Sequence, residues 1–290
     1  MLVPGPFEVN LPNTPLGPYI FNSPHSGSLY PKRFLSASRL DSHTLRASED
    51  AFVDQLFWSA SEKGLPLMRA IYPRAYLDLN REPYELDPRM FSAPLPPYAN
   101  TRSVRVAGGL GTIARIVADS REIYADKLPV EEALIRVEQI YKPYHSQLRR
   151  LLAQTHVSFG YAVLLDCHSM PSRSSGSALD NRADFILGDR YGTACSEIIV
   201  NTVAKFLRNK GYAVDHNKPY AGGFITEHYG RPLKGLHAMQ IEINRSLYMD
   251  ENTLEKHRGF DHLQQDIGAL IDHLIPLSHE TFLNHSLAAE

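Results

Sequence analysis

Three short stretches of this chain carry residues able to hold a metal ion and activate water. His25 follows an apolar run that begins at Tyr19 and lies in Asn22-Ser-Pro-His25-Ser-Gly, and His168 ends a second run, in Leu165-Asp-Cys-His168-Ser. About 140 residues separate the two, so only a fold can bring them together. Glu242 lies within the apolar stretch Met239-Gln-Ile-Glu242-Ile, where an ionised carboxylate is costly unless a partner, a metal or a reaction compensates it. Two histidines and an unexplained strand glutamate point to metal-assisted hydrolysis. A catalytic zinc site takes three protein ligands and keeps one position for water, so an acidic third ligand is required. Glu49 and Asp50 are the candidates; the alternative is that they open a helix, whose dipole favours negative charge there. Asp166, two residues before His168, is placed to orient its ring.

Other residues suit an acidic substrate. In Asp78-Leu-Asn80-Arg81 an amide stands beside a guanidinium fork, a combination that recognises a planar carboxylate; the alternative is a surface turn. Loop arginines at Arg89, Arg173, Arg182 and Arg245 would serve a dianion, or be ordinary structural residues. His228 closes a segment that opens with paired glycines, Gly222-Gly-Phe-Ile-Thr-Glu-His228. It is a candidate substrate or proton contact, with a structural histidine as the alternative.

The elements that must position these residues alternate strand and helix. Residues 19–21, 65–72, 75–79, 161–167, 212–215 and 239–243 read as strands. Helical spacing covers residues 48–63, with Glu49 and Asp50 in the first turn, and then 129–151, 191–210 and 252–274, with a kink expected at Pro143. Residues 83–97 are too rich in proline for either regular form and read as a long loop. Alternation of this kind implies an α/β fold with a parallel or mixed sheet and a site at the carboxyl ends of its strands.

Composition narrows the class. With 290 residues and 43% apolar side chains, one domain spanning 1–290 is expected. Lys and Arg total 30 against 32 acidic residues, and no basic cluster recurs, so a nucleic-acid partner is not expected. Two cysteines build no disulfide framework, which fits a reducing cytosol. Neither an apolar leader nor a run of spanning length is present, so no membrane partner and a soluble cytoplasmic protein are expected. Oligomeric state is left open.

The blocks Ser23-Pro-His-Ser-Gly, Ser48-Glu-Asp-Ala-Phe-Val-Asp, Asp78-Leu-Asn-Arg, Asp166-Cys-His-Ser, Gly222-Gly-Phe-Ile-Thr-Glu-His-Tyr-Gly, Gln240-Ile-Glu and Tyr248-Met-Asp-Glu251 occur in order over most of the chain. In these it resembles the N-formylglutamate amidohydrolase, or N-formylglutamate deformylase, family, and more distantly the zinc carboxypeptidases and aspartoacylases. The resemblance implies a three-layer αβα sandwich around a mixed sheet, and a zinc ion held by His25, Asp50 and His168. It further implies Glu242 as general base and Asn80 and Arg81 on a substrate carboxylate. Arg245, near Glu242, is assigned to a second carboxylate or the developing oxyanion, with Arg182 and His228 as further substrate contacts. The implied reaction is hydrolysis of N-formyl-L-glutamate to formate and L-glutamate, and the family name implies histidine breakdown. Alternatives are a zinc amidohydrolase or carboxypeptidase for another N-acyl amino acid or short peptide, and a non-catalytic binder of acidic amino-acid derivatives. Two departures stand out. Carboxypeptidase-like enzymes carry a glutamate ligand three residues after the first histidine, where this chain has Ser28, and residues 82–97 differ from the matching deformylase loop.

Overall fold

Two nine-residue strands, Ala162–Met170 and Leu236–Asn244, are buried along nearly their whole length, as strands covered on both faces are. The computed structural model describes residues 5–172 and 183–276. Seven strands form one sheet: β1 (Phe7–Asn10), β2 (Tyr19–Ser23), β3 (Leu67–Ala70), β4 (Ala162–Met170), β5 (Phe185–Gly188), β6 (Val214–His216) and β7 (Leu236–Asn244), in the order β1-β3-β2-β4-β7-β5-β6. Strand β4 pairs parallel with β2 and β7, β5 joins β7 antiparallel, and β6 is parallel to β5. The sheet is therefore mixed and flanked by helices, the α/β class expected.

The described residues group into two compact units. One contains residues 5–8, 24–51 and 69–148 and is built largely of loops. Its organising side chain is the fully buried Arg136, in the helix Val130–Arg136. The guanidinium lies 3.9 Å from the ring centroid of Tyr76, donates to Tyr124 Oη at 2.8 Å and to the Tyr76 carbonyl at 3.0 Å, and pairs with Glu132. The buried charge is tolerated because the Glu132 carboxylate and these oxygen acceptors and rings surround its terminal nitrogens.

The other unit contains residues 9–23, 52–68, 149–172 and 183–276. Its helices include Glu197–Asn209 and Gly259–Leu274, each amphipathic with an apolar face inward. Asp266 on the second of these accepts from Lys210 Nζ and Tyr212 Oη, both at 2.8 Å.

Several expected elements differ. Residues 48–63 are not one helix: Phe52 adopts a left-handed backbone, φ 65°, and two short helices, Val53–Leu56 and Ser59–Glu62, follow it. Glu49 and Asp50 therefore precede the helix rather than open it. Residues 75–79 form turns, not a strand, because their polar groups serve loop contacts: the Asp78 N–H donates to the Thr112 carbonyl at 2.8 Å. Where a kink was expected at Pro143, a π-helical segment, Val137–Tyr141, precedes the helix Lys142–Phe159, widening the turn before a residue with no N–H to give. The later helices start at Glu197 and Gly259, not at 191 and 252. Residues 249–256 instead form a small antiparallel pair, and the glycine-led segment contains a helix, Phe224–Tyr229. No described helix is long and apolar enough to cross a membrane.

Candidate functional site

At their carboxyl ends the central strands exchange apolar for polar side chains. Register places Asn22, Asp166 and Gln240 side by side on β2, β4 and β7, and His168 beside Glu242 one step further along. Side chains two apart on a strand share a face, so these rows stack. Within them Asn22 Nδ2 donates to Asp166 Oδ1 at 2.7 Å, and the other Asp166 oxygen is 2.9 Å from His168 Nε2. Asp166 thus orients the His168 ring, as its spacing implied. Both Asp166 and His168 are buried, and Glu242 is 6% exposed.

His25 lies two residues beyond β2 and is equally buried. Its Nε2 is 2.7 Å from Asp78 Oδ1, and its Nδ1 is 3.4 Å from Asp50 Oδ2. The Asp50 N–H donates to the His25 carbonyl at 3.1 Å, and the left-handed Phe52 turns the chain away immediately after. Glu49, the competing acid, accepts from Tyr30 Oη at 2.6 Å and from Arg46 Nε at 3.2 Å. His25, Asp50 and His168 are each buried, and as a group they could hold a metal ion. Ser28 is exposed.

Asp78 is the residue that motif reading undervalued. Besides His25 it accepts from Arg74 Nη2 at 2.8 Å and from the Asn80 N–H at 2.9 Å. Burial pushes its carboxyl up, but His25, Arg81 and Arg74 outweigh that and hold it well below the usual carboxylate range. The signal available in the sequence was its position at the head of the Asp-Leu-Asn-Arg motif. Asn80 is buried. Arg81 donates to the carbonyls of Leu110 and Asn80, each at 2.9 Å, and stands 3.9 Å from Asp78; burial lowers its pKa, an effect that Asp78 opposes.

Arg245 follows β7 directly, is buried, and donates Nε to Ser169 Oγ, beside His168, at 3.1 Å. His228 is exposed on the helix Phe224–Tyr229 and stacks on Phe224 with centroids 4.9 Å apart; partial burial, with Arg231 and Arg149 nearby, lowers its pKa. Arg89 is tied to Asp87 at 2.7 Å, a structural pair. Arg173 and Arg182 lie outside the described residues. Burial and Asp166 raise the thiol of Cys167, beside His168, well above its ordinary value, which disfavours the thiolate that a nucleophile requires.

The model of the family described as N-formylglutamate amidohydrolase matches residues 17–249. An N-formylglutamate deformylase of Pseudomonas putida is 29% identical over 237 residues, covering 81% of this chain and 82% of that protein. One from Pseudomonas aeruginosa is 29% identical over 238 residues, covering 81% and 83%. The crystal structure of N-formylglutamate amidohydrolase from Ralstonia eutropha JMP134 superposes with a TM-score of 0.87 at 36% identity, covering 93% of this chain and 97% of that one. The chain belongs to the N-formylglutamate amidohydrolase family, whose reaction is hydrolysis of a carbon–nitrogen amide bond.

Proposed function

We propose that this protein is a zinc-dependent amidohydrolase that hydrolyses N-formyl-L-glutamate to formate and L-glutamate. The observation that carries the reading is the buried group of His25, Asp50 and His168, on a chain whose His168 has Glu242 as its register partner. Two imidazoles and one carboxylate are a zinc donor set of the catalytic kind, with a position left for water. Each ring engages a carboxylate through Nε2, Asp78 for His25 and Asp166 for His168, which fixes the tautomer that presents Nδ1 to an ion. Bound there, zinc supplies a Lewis acid that makes water acidic near neutrality and polarises the formyl carbonyl.

The remaining chemistry belongs to the chain. Glu242 accepts the proton of the attacking water and returns it to the leaving amine, a role that typically contributes about 10²–10⁴-fold. Asn80 and Arg81 grip one substrate carboxylate; Arg245 holds the second carboxylate or the developing oxyanion, and Arg182 and His228 are further substrate contacts. Cys167 and Cys195 are both free thiols, in keeping with a reducing cytoplasm.

The deciding experiment follows formate release from N-formyl-L-glutamate by metal-stripped protein, before and after restoring one equivalent of zinc, with a panel of other N-acyl amino acids alongside. Release restored by zinc and greatest for the formylglutamate is expected. Release from another member of the panel alone would reassign the substrate, and binding without turnover at saturating zinc would end the enzyme reading.

A further inference from the structure

We propose that Gln240 is a positioning residue, aiming the Glu242 carboxylate and tying it to the glycine turn at Gly222 and Gly223. The inference rests on the proposed role of Glu242 as the base. Gln240 and Glu242 are two apart on β7 and share a face. The Gln240 side chain, in a residue 5% exposed, bridges two partners: Nε2 donates to Glu242 Oε1 at 2.6 Å, and Oε1 accepts the Gly223 N–H at 2.7 Å. The backbone N–H can only donate, so the amide oxygen must face Gly223 and the NH₂ must face the carboxylate. A charge-assisted bond of this kind restricts the rotamer of the glutamate that accepts it.

The neighbouring strand is cut to admit the turn. Gly188 on β5 is the register partner of Gln240. A Cβ there would come within 2.7–2.8 Å of the Tyr220, Ala221 and Gly222 backbone, closer than real contacts allow, so the turn reaches Gln240 only because position 188 has no side chain. Gly222 itself has φ +110°, a backbone open to glycine. The Arg190 N–H holds the same turn by donating to the Ala221 carbonyl at 2.8 Å. Strand β5, strand β7 and the turn thus converge on one amide, whose free end points at the proposed base.

The test compares Gln240→Met, Gln240→Glu, Glu242→Gln and the double variant Gln240→Met/Glu242→Gln, measuring kcat, KM for N-formyl-L-glutamate, zinc content and Tm. Misplacing a reacting group by about 1 Å can cost about 10²-fold, so Gln240→Met should lower kcat roughly 10–100-fold with KM and zinc content near wild type. Gln240→Glu keeps an acceptor for Gly223 but sets a second carboxyl against Glu242, with which it would share a proton, so it should lose kcat and shift its pH profile even where its Tm is unchanged. In the Glu242→Gln background the Gln240→Met change should cost no more than about 2-fold. Wild-type kcat in Gln240→Met, or a Gln240→Met loss that persists undiminished in the double variant, overturns the positioning role while leaving Glu242 as base. Turnover retained by Glu242→Gln alone removes the base, and both readings fall.

Discussion

Asp78 shows how one side chain can be both a motif residue and an organiser. The Asp-Leu-Asn-Arg motif draws attention to its amide and guanidinium, yet the carboxylate at its head holds the His25 ring by Nε2 and gathers Arg74 and the Asn80 N–H. Carboxylates that orient a metal-binding histidine typically contribute 10–100-fold to metal affinity. Asp78→Asn should therefore weaken zinc binding by roughly that factor, read by competition with a chromogenic chelator. Unaltered zinc affinity would leave Asp78 as an acceptor for Arg74 and the Asn80 N–H alone. The choice between Glu49 and Asp50 also belongs to this scale. Adjacent acids are alike in chemistry; the family resemblance favours Asp50, and in the fold Tyr30 and Arg46 engage Glu49 while His25 faces Asp50.

Among the elements, those with a strong apolar period are the ones whose type the sequence made legible. β4 and β7 are legible from stretches rich in apolar residues, and the helices Glu197–Asn209 and Gly259–Leu274 from their amphipathic spacing. Elements governed by backbone exceptions were not. The helix expected from residue 48 begins only after the left-handed Phe52, and the strand expected at 75–79 is a turn whose polar groups serve loop partners. Contact between elements leads to a stability prediction. Burial raises the Asp266 pKa, but Lys210 and Tyr212 outweigh it and lower the pKa below the ordinary value. A carboxyl with a depressed folded pKa adds stability that is fully present above its unfolded value, near 3.9, and is lost as pH falls through the folded value. Asp266→Asn should thus lower stability by about 1–3 kcal/mol at neutral pH, seen as a Tm drop of several degrees, and the gap from wild type should close as the medium is acidified below about pH 3.9. A gap constant from neutrality into that acid range would mean that the charge of Asp266 contributes nothing.

For the molecule as a whole, the proposed ion would draw together three segments far apart in sequence. Any ligand that binds the folded chain and not the unfolded one stabilises it by mass action, by about 2.7 kcal/mol at a hundredfold excess over Kd. Zinc should accordingly raise Tm by several degrees, and His168→Ala should abolish most of that shift without matching the loss by a fall in the metal-free Tm. A Tm indifferent to zinc would argue that the His25, Asp50 and His168 group binds no ion in the folded protein.

What the sequence determined by itself was local and chemical. It supplied the strand-ending histidines, the carboxylate in an apolar strand, the alternation that makes an α/β chain, and the ordered blocks of the family. The tertiary structure alone decided which of those groups meet. A strand's residue types do not state its register, so the pairing of His168 with Glu242 and the polar row of Asn22, Asp166 and Gln240 become visible only when β2, β4 and β7 are aligned. Nor does a lone glycine announce its purpose: Gly188 matters because the backbone of a turn more than thirty residues later occupies the space its side chain would have filled. Periodicity and composition are properties of neighbours in the chain, whereas ring orientation and the Gln240 bridge depend on contacts that folding alone creates.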